Sequence, residues 1–317
     1  MRAWILYRFD LENLPPHNYE MPRFVAQAQE MGIELTVIRP DQIDIIVTRD
    51  DRKSVLVDGK VTPLPDFLIP RMGASTTYYA LAIIRHLERL GVTVINSSTA
   101  IEAVRDKLYT QQILAASNLP VPKTMLARFP VNVDLVEKQL GFPVVVKTIS
   151  GSHGSGVYLS ENRDNFADIS TLLNSTKPDT NIILQEFIAS SHGQDLRVIV
   201  VGGRVVACMR RFSTDDNFKA NVSRGGGSEP YAVTPEIEML ALESARILEL
   251  DIAGVDLLFD GDHFAICEVN SSPGFAGMER AHEGLVNIAE AIYQYALVRL
   301  GHFETIHHAK VVETLPQ

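Results

Sequence analysis

Two cysteines, one tryptophan and no long apolar run bound what this 317-residue chain can be. Cys208 and Cys267 each fall inside an expected strand, and their spacing fits neither a disulfide framework nor a thiolate metal site. They read as small buried hydrophobes in a reducing cytoplasm. No stretch approaches the ~18 apolar residues of a membrane span. The opening "MRAWILYRFD" turns polar too soon for a signal peptide and reads as a first strand, so a cytoplasmic protein without a membrane partner is expected. Positive charge is scarce too: 29 Lys and Arg stand against 39 Asp and Glu, a net charge of −10. That balance argues against broad binding to a phosphate backbone, hence no nucleic acid. Neither repeats nor low-complexity tracts occur. The rest, 46% apolar and 21% charged, suits a globular chain long enough for two or three packed units.

Strand and helix signals alternate through residues 1–97. "AWILY" and "ELTVIRP" read as strands around a helix from Met21 to Met31. "DFLIPR", the amphipathic "TYYALAIIRHLERL" and "VTVIN" continue the alternation, which predicts α/β structure with a mainly parallel sheet. "SSTAIEAVRDKLYTQQILAASNL" reads as one helical region stopped by "PVP". "FPVVVKTISGSHGSGVYL" reads as strand, Gly-rich turn, strand. With a helix from about Arg163 to Asn174 and the strand "NIILQEFI", it makes an α+β unit over 98–190. Strands dominate 191–302, namely "DLRVIVVGG", "RVVACMRRF" and a hairpin, with helices near 235–249 and 284–300. Residues 303–317 form a tail without a clear period.

That hairpin, "GVDLLFDGDHFAICEVNSSPG" at 254–274, carries Asp256, Glu268 and Asn270 in otherwise apolar strands. Glu268 and Asn270 share a face by strand alternation. A three-residue loop at 261–263 would pair Asp260 with Phe264 and Asp256 with Glu268, whereas a two-residue loop would put the two acids on opposite faces. A shared acid face is therefore expected to need the three-residue loop. Two opposed carboxylates need a compensating cation, and all-oxygen donors select Mg²⁺ or Mn²⁺. A solvated strand edge with scattered acids is the competing reading.

Other chemistry is spread along the chain. Gly151, Gly154 and Gly156 in "SGSHGSG" let backbone N–H groups approach phosphate oxygens. No Lys-Ser/Thr follows, and strands lie on both sides, so this is neither a P-loop nor a dinucleotide fingerprint. It is a phosphate lid or a plain flexible turn. Lys147 ends the apolar "PVVVK" and either meets a phosphate or snorkels out. Lys107 is a second phosphate candidate or a surface helix lysine. The backbone of "ILQEFI", at Glu186, Phe187 and Ile188, can read an adenine edge. Arg197, Arg210, Arg211, Lys219 and Arg224 form a basic set around Asn221. As neighbours on a strand, only one of Arg210 and Arg211 can face a site. Arginine clamps carboxylates and stabilises charge on transferred phosphoryl oxygens, although a solvated basic rim would look the same.

In order and spacing, "IPRMG" at 69–73, "VRDKLYTQQILA" at 104–115, "PVVVKTISGSHGSGV" at 143–157 and "LQEFI" at 184–188 resemble the ATP-grasp superfamily. The resemblance continues through "GQDLRVIVVGG", "FKANVSRGG", "AGVDLL" and "EVNSSPG" to cover nearly the whole chain. Within it the chain most resembles the RimK-type glutamate ligases, which modify a ribosomal protein. The resemblance implies an ATP-grasp fold behind a Rossmann-like pre-ATP-grasp domain. It implies ATP and two divalent cations as cofactors, with Asp256, Glu268 and Asn270 as metal ligands. Lys107, Lys147 and the lid glycines would hold phosphates. Glu186 and Phe187 would lie at the adenine and Asp195 near the ribose or acceptor. Lys219, Ala220 and Asn221 would contact nucleotide or substrate, and Arg211 or Arg224 would stabilise developing charge. Arg71, Arg197, Arg210, Ser271 and Ser272 are the candidates for substrate contacts, Arg71 being equally readable as a domain-interface salt bridge. The implied reaction adds L-glutamate to the C-terminus of a protein or peptide through an acyl phosphate. A small-molecule acceptor, or an ATP-binding regulatory protein without chemistry, is the alternative. Such relatives also suggest a homo-oligomer. D-alanine–D-alanine ligases share the "SSPG" ending but usually carry arginine where this chain has Gly254.

Overall fold

The chain begins with β1 (Arg2–Leu6), α1 (Glu20–Glu30), β2 (Glu34–Ile38), β3 (Ile43–Ile45), β4 (Val55–Val57), β5 (Lys60–Val61), β6 (Phe67–Pro70), α2 (Tyr78–Arg89) and β7 (Thr93–Val94). This is a computed structural model, and it describes residues 1–49, 54–148, 156–176, 181–215, 218, 220 and 226–302. Strands β2-β1-β6-β7 form a parallel sheet in that order. Both faces of it are covered, as parallel sheets require. Trp4, Leu6 and Leu68 pack under Leu81, Ile84 and Leu87 of α2, while Ala3, Ile5 and Ile69 pack on Phe24 of α1. A small antiparallel sheet, β3-β4-β5, lies beside it. Strands of two or three residues are too short to carry an alternation, so these three have no signature in the sequence.

Next come α3 (Ser98–Arg105) and α4 (Lys107–Ala116). The region read as one helical stretch breaks at Asp106, whose carboxylate caps α4 by accepting from the N–H groups of Leu108 and Tyr109 at 2.9 and 3.0 Å. The break sets Lys107 at the first position of a new helix.

A second unit comprises β8 (Thr124–Ala127), α5 (Val133–Leu140), β9 (Val144–Thr148), β10 (Val157–Ser160), α6 (Arg163–Thr176) and β11 (Ile182–Glu186). Its antiparallel sheet, β10-β9-β11-β8, has a separate core of Val144, Val146, Leu184, Val136 and Phe166.

The third unit holds β12 (Gln194–Val201), β13 (Arg204–Phe212), β14 (Gly227–Pro230), α7 (Pro235–Ile247), β15 (Ile252–Asp260), β16 (His263–Asn270), α8 (Ala276–Ala281) and α9 (Ile288–Arg299). Its five strands run in the order β14-β13-β12-β15-β16, all antiparallel. One face, with Leu196, Val198, Val200, Val255 and Leu257, lies under α7. The opposite face puts Ile199, Val201, Met209 and Ile252 into one core with Ile5, Phe24 and Phe67 of the first unit and Tyr293 of α9. The first and third units thus share a core, and the second does not. Further along this opposite face apolar side chains give way to Asp195, Arg197, Arg211, Asp256 and Glu268. Among the described residues, no helix is long and apolar enough to cross a membrane.

Candidate active site

Strands β15 and β16 are joined by a two-residue turn, Gly261 and Asp262, because Asp260 pairs with His263. This corrects the expectation that a shared acid face needs a three-residue loop. The ladder then runs Phe259–Phe264, Leu258–Ala265 and Leu257–Ile266, skips Cys267, and resumes with Asp256 opposite Glu268. Cys267 is the extra residue of a β-bulge. The shift of one residue undoes what the shorter turn would have done, and the two carboxylates share a face after all. Gln111 of α4 supports the bulge by donating to the carbonyls of Cys267 at 3.0 Å and Ile266 at 3.4 Å. Its amide was not among the expected site residues, since one buried glutamine in a helix gives no local signal.

Asp256 is buried and held by two guanidinium groups. Arg197, opposite it on β12, donates from Nε and Nη2 at 2.7 and 2.6 Å, and Arg211 Nη2 lies 3.1 Å away. Arg211 in turn grips Asp195, its partner across β12 and β13, through Nε and Nη2 at 2.6 and 2.7 Å. Two acids and two arginines therefore form a neutral buried lattice. Burial pushes Asp256 up, but Arg197 and Arg211 outweigh it and hold its carboxyl below the usual value. At Asp195, where Arg211 is the chief partner, burial prevails and the carboxyl is raised. Burial alone would lower Arg211, yet the two carboxylates raise it and keep it charged.

Glu268 is half exposed and meets Lys107 Nζ at 3.5 Å across a cleft between α4 and β16. Val104, Thr110, Gln111, Lys147, Ile183, Gln185, Cys267 and Val269 complete the walls of this cleft. Lys147 Nζ donates to Gln185 Oε1 at 2.5 Å and lies 3.7 Å from Cys267 Sγ. Gln185 is buried and tied at its other end to Thr124 Oγ1 at 3.0 Å, which fixes the lysine at the end of β9. Cys267 is accordingly not a core hydrophobe. It is partly exposed in the cleft, whereas Cys208 is buried under α7 with its thiol pushed up to about 12 by desolvation.

The remaining candidates divide. Arg211 faces the lattice, while Arg210 points to the other face, where it donates to Gln194 Oε1 at 3.0 Å and Glu229 Oε1 at 2.9 Å. Arg197 sits on Asp256, and Arg71 is buried between the first and third units, donating to Pro273 O at 2.8 Å. Ser271 and Ser272 begin the turn after β16, and the Ser271 carbonyl accepts from Asn96 at 2.8 Å. Glu186 ends β11 and accepts from the Lys123 N–H, and the Phe187 ring stands edge-on to His192. Ala220 is buried. Gly156, at φ +76°, closes the β9–β10 hairpin; a Cβ there would lie 2.2 Å from Thr148 Oγ1. Gly151, Gly154, Lys219, Asn221 and Arg224 lie outside the described residues.

Asp256, Glu268 and Asn270 supply hard oxygen donors from neighbouring positions on one sheet face, a set that fits Mg²⁺ or Mn²⁺. Among the described residues no three His, Cys, Asp or Glu side chains converge on one point.

Residues 104–296 match the model for a RimK-like ATP-grasp domain and residues 12–101 that for a RimK pre-ATP-grasp domain. A probable alpha-L-glutamate ligase of Legionella pneumophila is 36% identical over 282 residues, covering 88% of this chain and 92% of that protein. One of Marinomonas sp. is 38% identical over 267 residues, covering 84% and 88%. The solved structure of the ATP-grasp ligase PsnB, complexed with a phosphomimetic variant of its minimal precursor, Mg and ADP, aligns with a TM-score of 0.72 at 18% identity, covering 94% of this chain and 98% of that one. The fold is therefore the ATP-grasp fold behind a pre-ATP-grasp domain, and the protein is an ATP-dependent ligase. The chain belongs to the RimK-like ATP-grasp family.

Proposed function

We propose that the protein joins the carboxylate of a protein or peptide C-terminus to the amine of L-glutamate, releasing ADP and phosphate. The observation that carries this reading is the meeting of Lys107 and Lys147 with Glu268 around one cleft, with Asp256 paired opposite Glu268 on the neighbouring strand. The two lysines would hold the nucleotide phosphates, Lys147 in the position that Gln185 fixes. The backbone at Glu186 and Phe187 would receive the adenine, with Asp195 near the ribose or acceptor. Lys219, Ala220 and Asn221 would add nucleotide or substrate contacts, and Gly151, Gly154 and Gly156 would let a lid approach the phosphates. Asp256, Glu268 and Asn270 would hold two divalent cations, Mg²⁺ or Mn²⁺. Such ions neutralise phosphate charge when bound.

An acceptor carboxylate oxygen attacks the γ-phosphorus as the bond to ADP breaks, giving an acyl phosphate. The glutamate amine then attacks the carbonyl carbon, phosphate leaves with the C–O bonding pair, and the amine gives up a proton. No nucleophilic side chain is required; catalysis rests on positioning and on charge stabilisation by Arg211 or Arg224. Because Arg211 is already tied to Asp195 and Asp256, its guanidinium is fixed before substrate arrives. The names of the relatives support glutamate as the donor, and the structure of PsnB complexed with the precursor peptide PsnA2 supports a peptide acceptor.

The test is ADP release from Mg²⁺-ATP with L-glutamate and a basic ribosomal-protein tail, with product masses read by mass spectrometry. Glutamate-dependent mass addition that disappears in Glu268→Ala is expected. Addition only to small amino acids or cofactors, with none to peptides, would sink the peptide acceptor.

A further inference from the structure

The turn that follows Asn270 is held from the first unit. Arg71, the residue after β6, donates from Nη2 to Pro273 O at 2.8 Å. Glu20, at the start of α1, accepts from the Phe275 N–H at 3.1 Å and lies 3.4 Å from Arg71 Nη2. Asn96 donates to Ser271 O at 2.8 Å and exchanges two more bonds with the backbone of Ile252, each 2.8 Å. Three side chains from outside the third unit thus bond backbone groups of 271–275.

Arg71 stands out because its burial is costly. Its guanidinium carbon lies 5.7 Å from the ring centroids of both Phe24 and Phe275, and its Nη1 has no hydrogen-bond partner among the described residues. A buried charge with an unmet donor is an expensive way to join two units when apolar packing would do. The carbonyl it holds explains its presence. A Cβ on Gly254 would lie 2.5 Å from Pro273 Cβ, so the proline ring rests directly on the β15 backbone. Gly254 stands opposite Asn270, whose Nδ2 lies 3.5 Å from Gly254 O. Two residues further along β15, on the same face, is Asp256. Contacts run from Arg71 through Pro273 and Gly254 to Asn270, and the β15 backbone that Pro273 rests on carries Asp256 two residues on. The same contact accounts for glycine at 254, since a side chain there would displace Pro273.

We propose that Arg71 is a positioning residue for the cation site, setting Asn270 and Asp256 through Pro273 and Gly254. The proposal rests on the reading of Asp256, Glu268 and Asn270 as cation ligands. It gives the pre-ATP-grasp domain a direct part in cation affinity, in addition to its packing.

The test is Mn²⁺ affinity in the presence of ADP, read by electron paramagnetic resonance, with urea unfolding midpoints measured alongside. Arg71→Met and Pro273→Ala are expected to bind Mn²⁺ about tenfold more weakly, the scale of losing a group behind a ligand. Arg71→Lys, which keeps a donor for Pro273 O, should recover part of that loss. Arg23→Met breaks another link between the same units, Arg23 Nε to Glu279 Oε2 at 2.9 Å, and leaves the bonds of Arg71, Glu20 and Asn96 to 271–275 in place. It should lower the unfolding midpoint and leave Mn²⁺ affinity unchanged. Equal losses in Arg23→Met and Arg71→Met would overturn the proposal, as would wild-type affinity in both Arg71→Met and Pro273→Ala. Should Arg71→Met fail to fold, Pro273→Ala decides. Glu268→Gln separates the two levels: if it binds Mn²⁺ like wild type, the ligand reading fails and the proposal with it. If it loses Mn²⁺ while the Arg71 and Pro273 variants do not, only the proposal fails.

Discussion

Arg197 grips both carboxylate oxygens of Asp256 from the neighbouring strand, at 2.7 and 2.6 Å. Strand pairing sets this geometry, because the two residues stand directly opposite in the β12–β15 ladder. Removing the guanidinium leaves a buried carboxylate with Arg211 alone. Arg197→Met is therefore expected to cost about 3 kcal/mol, the scale for breaking one side of a buried pair. Asp256→Asn in the same chain should restore part of it. Urea denaturation of the single and double variants checks both; additive losses would show that the pair is not coupled.

The same pair predicts an acid limb to stability. Arg197 and Arg211 hold the Asp256 carboxyl below its ordinary value in the folded protein. A depressed carboxyl stabilises the fold above its unfolded pKa, roughly 3.9, and loses that contribution as pH falls through the lower folded value. The stability difference between wild type and Asp256→Asn should be full above about pH 5 and shrink below about pH 4. A difference flat across that window in urea titrations would contradict the assignment.

The two thiols should separate cleanly. Cys208 is buried with its thiol pushed up to about 12, while Cys267 is partly exposed in the lysine-lined cleft. Burial raises Cys267 as well, with Lys147 opposing it, so the reaction should be slow but confined to this residue. Iodoacetamide labelling followed by peptide mapping should find Cys267 first and Cys208 only after unfolding. Mg²⁺-ATP should slow the labelling if it occupies the cleft; labelling of Cys208 in the native protein would contradict its placement.

Much of the molecule is written in local pattern. Alternating side chains decide which face of a strand is apolar, so the parallel sheet, the amphipathic α2 and the acid-bearing strands could be read directly. Lys147 at the end of "PVVVK" and the order of the motifs were equally legible.

The tertiary structure decided what depends on partners distant in sequence. Periodicity sets side-chain faces but not pairing, so a shared acid face was expected to need a turn one residue longer, and only the bulge at Cys267, held by Gln111, brought Asp256 opposite Glu268. Of the adjacent arginines one had to face inward, and the Asp195–Arg211 register selected Arg211. Arg71 reads in sequence as either an acceptor contact or a domain-interface salt bridge; the fold buries it at the interface against Pro273, 202 residues away. These outcomes turn on contacts between separate strands and units, and no short stretch of sequence encodes the energy of a contact with a partner it does not contain.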